Sequence, residues 1–202
     1  MQTNIRTGNV QASPAIQLYT LAGMSALLYV VLSLAAMALT DWNNPAATST
    51  PALVLGVLGN IAVLPVVVAV YQHLRPASGA LSSVAVISGV LALIGAAVGS
   101  VVGYDSALGM ASGLSASFGM LLFFGLSGYL ALTSKLLPAG WAYLSIIVGL
   151  LAGAAGIISG SAGSSSDMTG LAWTAFNVST LVWALWTAVE FLRRGRATSA
   201  GE

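Results

Sequence analysis

The sequence predicts an all-α integral membrane protein, a bundle of six transmembrane helices with both termini in the cytoplasm. Three observations carry this. The 202-residue chain is 57% hydrophobic and only 5% charged, with mean hydropathy +0.94. A soluble domain carries about a quarter charged residues, so water could not solvate a compact surface built from this composition. The apolar residues fall into six runs separated by short polar stretches. Each run is about 20 residues or more, which at ~1.5 Å per residue spans a ~30 Å hydrocarbon core. Finally, cations and loop aspartates alternate along the chain in the order such a threading requires. Barrel strands are excluded, because they are ~10 residues long and alternate in polarity.

Residues 1–14 read as a cytoplasmic leader, polar with the single cation Arg6. Pro14 opens the first helix, 15–40, where a first-turn N–H has no helical partner to lose. A cleaved signal peptide is the rival reading, since Ala36-Met37-Ala38 resembles a cleavage site. The apolar run is longer than the ~7–15 residues of a signal peptide, which favours a retained helix. Turn formers fill 41–51, and the second helix follows at 52–72. Pro65 makes it the helix expected to kink. The turn His73-Leu74-Arg75-Pro76 leads to the third helix, 80–103, and a loop with Tyr104 and Asp105 leads to the fourth, 109–133. A hairpin through Lys135 and Pro138 leads to the fifth, 141–160. A Ser/Gly-rich loop around Asp167 precedes the sixth, 170–192, and residues 193–202 form a cytoplasmic tail. Together 15–192 form one transmembrane domain.

Every cation (Arg6, Arg75, Lys135, Arg193, Arg194, Arg196) falls on the face shared by the termini. The positive-inside rule assigns that face to the cytoplasm. Asp41, Asp105 and Asp167 fall one per outer loop, while Glu190 and Glu202 lie inside. Localisation to a bacterial inner membrane fits this threading. Pro14, Pro76 and Pro138 are each followed by Ala and stand 62 residues apart, and Asp105 and Asp167 are also 62 residues apart. This is the trace of a weak repeat of three helical hairpins. Any six-helix chain with short loops also shows a period near that length.

Composition removes many chemistries. There is no cysteine and one histidine, so thiolate nucleophiles, cysteine metal sites and histidine clusters are not available. A net charge of +1 gives no basic field for nucleic acid. No nucleotide fingerprint or nucleophile elbow occurs, and the sequence calls for no cofactor and names no catalytic residue.

The glycines stand out instead. Gly95, Gly99 and Gly103, then Gly109 and Gly113, then Gly149, Gly153, Gly156 and Gly160 recur at helical spacing. Small residues let helices approach in lipid, either as seams of the bundle or as a face for another subunit. Trp141 and Tyr143 are expected at the inner interface, and Trp42 and Tyr104 at the outer one.

Polar residues at membrane depth need partners. Asn60 and Asn177 are expected at similar depth in the outer half, with Ser100, Ser115, Ser117 and Asp105 near them, as the lining of an outward cavity. Interhelical hydrogen bonding is the plainer explanation. Trp183 and Trp186, with Trp173 and Phe176, are candidates to grip a lipophilic ligand, or else they fill gaps between small-residue helices. Asp41, Asp105 and Asp167 would make a weak cation site only if their loops converge. Glu190 reads as a helix-end ion pair with Arg193 or Arg194, and His73 as solvated in its turn.

One family resemblance is present. Phe124-Gly125-Leu126-Ser127-Gly128-Tyr129-Leu130, then Ser134 through Trp141, resembles the bacterial membrane-protein family called domain of unknown function 4386. Tyr71 to Pro76 resembles that family's Y-x-x-L-R-P turn, and Gly23 to Tyr29 its G-x-x-x-L-x-Y opening. The similarity covers residues 18–155, and the Gly140 before Trp141 departs from the pattern. It implies a multi-pass inner-membrane protein and carries over no catalytic residue.

Two functions follow as expectations. The first is a non-catalytic scaffold or accessory subunit that packs through glycine faces against itself or another membrane subunit. The second is a small carrier or receptor for a lipophilic or weakly polar molecule. The lipid bilayer is a partner in both.

Overall fold

A computed structural model describes residues 14–40, 49–103, 106–162 and 167–199. Among these residues the regular structure is all helical, with no strand. The helices are α1 (Pro14–Ala38), α2 (Thr50–Ala62), α3 (Leu64–Leu74), α4 (Gly79–Val102), α5 (Ala107–Ser134), α6 (Ala139–Ala162) and α7 (Asp167–Ser199). Taking α2 and α3 as one broken span, six are long and apolar enough to cross a membrane.

Serines set three of the helix starts. Ser49, Ser78 and Ser106 each place a side-chain oxygen on the N–H three residues on, at 3.4, 3.3 and 3.0 Å. Such a cap satisfies a backbone donor that the helix leaves orphaned. These helices therefore begin one or two residues before the apolar runs that announce them. The break between α2 and α3 falls at Val63, two residues before Pro65, as the missing proline N–H requires. Lys135 ends α5 in the left-handed conformation, φ 56°. The last helix continues past Leu192 to Ser199, because Gly195 does not end it and Arg193, Arg194 and Arg196 suit a helix C-terminus. Asp167 opens the same helix as its first residue, a favourable place for a carboxylate, rather than standing in a loop.

Chain neighbours are neighbours in space. The helices pack in order, α1 with α2 and α3, these with α4, then α5, α6 and α7, and α7 closes the ring on α1. Glycines make several of these seams. A Cβ on Gly95 would lie 2.7 Å from the Ser112 carbonyl oxygen, and one on Gly119 2.7 Å from that of Ser88. On the α5–α6 seam, a Cβ on Gly128 would lie 2.7 Å from the Ala142 carbonyl oxygen. Where α7 meets α1, Gly23 faces Leu192 and Gly195 faces Thr20. Seen from outside, the ring presents residues such as Leu21, Val31, Ile61, Ile94, Leu150 and Val189, all exposed.

The three prolines at the 62-residue spacing take different places at their helices. Pro14 is the first residue of α1, Pro138 directly precedes α6, and Pro76 lies three residues before α4.

Candidate functional site

The ring has two unlike halves. Toward the end where the start of α1 meets the end of α7, the centre is filled. Leu74, Val70, Trp141, Val148 and Phe191 are almost wholly buried there. Toward the far end, a cavity of about 970 Å³ opens between the helices. Every helix contributes to its wall. Small residues on three helices leave the room, Gly89, Ala92 and Ala96 on α4, Gly113 and Ala116 on α5, and Gly156 and Gly160 on α6.

The polar lining sits at one level. Asn60 is ten residues into α2, Ser117 ten into α5 and Asn177 ten into α7, while Tyr29 is nine from the far end of α1. At ~1.5 Å per residue this is a girdle about 15 Å below the far end. Beneath it Phe123, Phe124 and Trp183 form an aromatic floor. Phe124 and Trp183 meet edge to face, with centroids 4.9 Å apart. Above it the wall reaches the helix ends at Ser100, Gly160 and Thr169.

Most polar groups here are already bonded within the protein. Ser100, Ser117, Ser159 and Thr180 each donate their hydroxyl proton to a carbonyl four residues back, at 2.7 to 2.9 Å. The Trp173 indole N–H donates to Ser159 Oγ at 2.9 Å, and that of Trp183 to Ser145 Oγ at 2.8 Å. The two carboxamides differ. Among the described residues, the side chains of Asn60 and Asn177 have no hydrogen-bond partner, and both border the cavity. Each carries two donors and an acceptor. No charged residue is among the described lining.

The structure thus brings together Asn60, Asn177 and Trp183, with Ser100, Ser117, Trp173 and Phe176. It does not bring in Ser115, which is exposed on the outside of α5. Trp186 is also elsewhere. Three residues beyond Trp183 it reaches over Gly140, where a Cβ would lie 2.5 Å from its ring, far from the cavity. Asp105 and Asp41, and with them Trp42 and Tyr104, lie outside the described residues. Asp167 is exposed at the start of α7. Among the described residues no three acidic or histidine side chains converge.

Trp141 departs from its expected place at an interface. It is fully buried and donates its indole N–H to Thr187 Oγ1 at 2.8 Å, because the filled half takes it as a core residue. Tyr143 is exposed, as an interfacial residue would be.

The filled end closes on a polar knot that the sequence did not suggest. His73 is half-buried rather than solvated. Its Nδ1 lies 3.0 Å from the Tyr19 hydroxyl, and its Nε2 3.0 Å from Arg194 Nη1. The same Nε2 lies 3.1 Å from the Leu136 carbonyl oxygen, so that carbonyl and the Arg194 guanidinium meet at one ring nitrogen. Arg194 Nη2 donates to the Leu136 carbonyl at 2.9 Å, and its Nε to Glu190 Oε1 at 2.7 Å. One arginine thus joins α7 to α3 and to the α5–α6 turn, and His73 passes the tie to α1. The Glu190–Arg194 pair is the helix-end pair expected, but the carboxylate is buried, at 7% side-chain exposure. The signal was present as Tyr19, His73 and Arg194, each near the same end of its helix; only the ring closure makes them meet.

Gly95, Gly149, Gly153 and Gly156 each meet a neighbouring helix of the same chain. No protein-family model, curated protein or solved structure matches this chain.

Proposed function

We propose that this chain is a multi-pass protein of a bacterial inner membrane, with both termini cytoplasmic. It binds an uncharged lipophilic molecule in a cavity opening on the outer side, as a small carrier or receptor. The observation that carries this reading is the cavity with its two unpartnered carboxamides. A polar side chain at membrane depth is costly unless it has a partner or faces water, and such residues mark ligand paths. A volume of about 970 Å³ lies at the upper end of small-molecule sites. Apolar walls with a few convergent polar groups are the usual build of such sites. The segregation of cations supports the orientation. The resemblance to the domain-of-unknown-function 4386 family points to the same membrane and rests on the motifs quoted above.

The test is extraction of the protein from its native membrane in mild detergent, followed by mass spectrometry of bound small molecules. One equivalent of an uncharged lipophilic molecule is expected, reduced when Ala96→Phe fills the cavity from α4. Equal amounts in both proteins would refute the reading. The cysteine-free chain also allows a direct topology test. Met168→Cys should react with an impermeant maleimide from outside, and Ala77→Cys only after the membrane is opened. The reverse pattern would overturn the orientation.

A further inference from the structure

Resting on the reading of the cavity as a binding site, we propose that its ligand is a flat, uncharged ring bearing carbonyl groups, the chemistry of a quinone. The inference comes from the N–H donors that the cavity leaves open. The hydroxyl protons of Ser100, Ser117, Ser159 and Thr180 are committed to helix carbonyls. Both lining indoles have given their N–H to serines. The carboxamides of Asn60 and Asn177 therefore hold the open N–H donors of the girdle. A ligand that only donates would leave those N–H groups unsatisfied at membrane depth, where each orphan is costly. Carbonyl oxygens satisfy them.

Charge and shape narrow the class further. Without a lysine, arginine, aspartate or glutamate in the described lining, an ionised ligand would lose its hydration and gain no counter-charge. The floor is aromatic, and Phe123, Phe124 and Trp183 offer rings rather than polar atoms, since the Trp183 N–H points to Ser145. Such a surface favours stacked or edge-on contact with another ring. Asn60 and Asn177 stand on α2 and α7, the two helices flanking α1, at the same depth above that floor. A ring resting on the floor can turn carbonyl oxygens toward both. The space exceeds one ring: at ~30 Å³ per water-sized group it holds about 30 such groups. An apolar substituent therefore fits above the girdle, between the small residues of α4, α5 and α6.

The test is tryptophan quenching of the purified full-length protein in micelles. The probes are menadione, naphthalene, 1-decanol and a sulfonated naphthoquinone, the non-quenching ones read by competition. Menadione should quench saturably, because Trp173 and Trp183 line the cavity. Asn60→Leu and Asn177→Leu should each weaken menadione by about tenfold, the loss of one hydrogen bond, and leave naphthalene unchanged. Ala96→Phe should abolish saturable quenching. It serves as the control if a leucine variant fails to fold. The sulfonated probe should not bind. Naphthalene as tight as menadione, or decanol binding where menadione does not, overturns the carbonyl-ring assignment while the cavity remains a binding site. Equal binding of the sulfonate overturns the requirement for an uncharged ligand. Absence of saturable binding by every probe overturns both this assignment and the reading it rests on.

Discussion

Gly125 and Gly128 lie one helical turn apart on α5 and should respond oppositely to the same change. At Gly128 an added Cβ would stand 2.7 Å from the Ala142 carbonyl oxygen, 2.7 Å from Ile146 Cγ1 and 3.2 Å from the Ile146 nitrogen. Carbon contacts are most favourable near ~3.5–4.0 Å, so α5 and α6 must part locally by about 1 Å. The isoleucine can rotate aside, but the carbonyl belongs to the helix. Overpacking of this kind costs ~1–3 kcal/mol. Alanine returns ~0.5–1 kcal/mol through its better helix propensity, leaving a net loss of about 1–2 kcal/mol for Gly128→Ala. At Gly125 an added Cβ meets nothing within 4 Å. Gly125→Ala should therefore be neutral or more stable by up to about 1 kcal/mol. Reversible unfolding of both variants in mixed micelles measures the difference. If Gly128→Ala proved as stable as Gly125→Ala, the close approach of α5 and α6 at Gly128 would be wrong.

Lys135 holds a left-handed conformation at an exposed helix end, so Lys135→Gly should raise stability by about 1 kcal/mol, read as an upward shift in Tm; no shift would count against that turn. In the polar knot, Arg194→Ala strands the buried Glu190 carboxylate and should cost about 3 kcal/mol. Glu190→Gln should cost less, because the Arg194 left behind is 29% exposed, and the opposite order in denaturation midpoints would refute this account of the pair. Ser145→Ala removes the acceptor of the Trp183 indole and should cost about 1 kcal/mol. The emission of that indole should shift with it, whereas an unchanged spectrum would argue against the bond.

Much of the fold was legible because lipid imposes a strong rule on sequence. A helix crossing it must be long, apolar and internally hydrogen-bonded, so six runs were readable to within a few residues, the end of the last helix excepted. Pro65 likewise announced the break at Val63. The shared depth of Asn60 and Asn177 could be counted from the loops. What could not be counted was the angle at which each residue points. Ser115 and Ser117 are two residues apart, yet one faces outward and the other lines the cavity. Trp183 and Trp186 are three apart, yet one floors the cavity and the other covers Gly140. In a helix apolar on every side, hydrophobic periodicity carries little information about which face is inside.

The sequence by itself determined the solvent this composition suits, the number of helices long and apolar enough to cross a membrane, and the chemistries excluded by the absence of cysteine and the single histidine. Those follow from composition and run length, which need no knowledge of neighbours. The tertiary structure alone decided how the glycines and the polar residues are used. Closing α7 onto α1 makes Tyr19, His73, Glu190 and Arg194 one knot and seals that end. Small residues that pack helices together at one level leave, at another, room that no side chain fills. Whether a glycine makes a seam or a cavity depends on what stands opposite it, and that is fixed only when the ring closes.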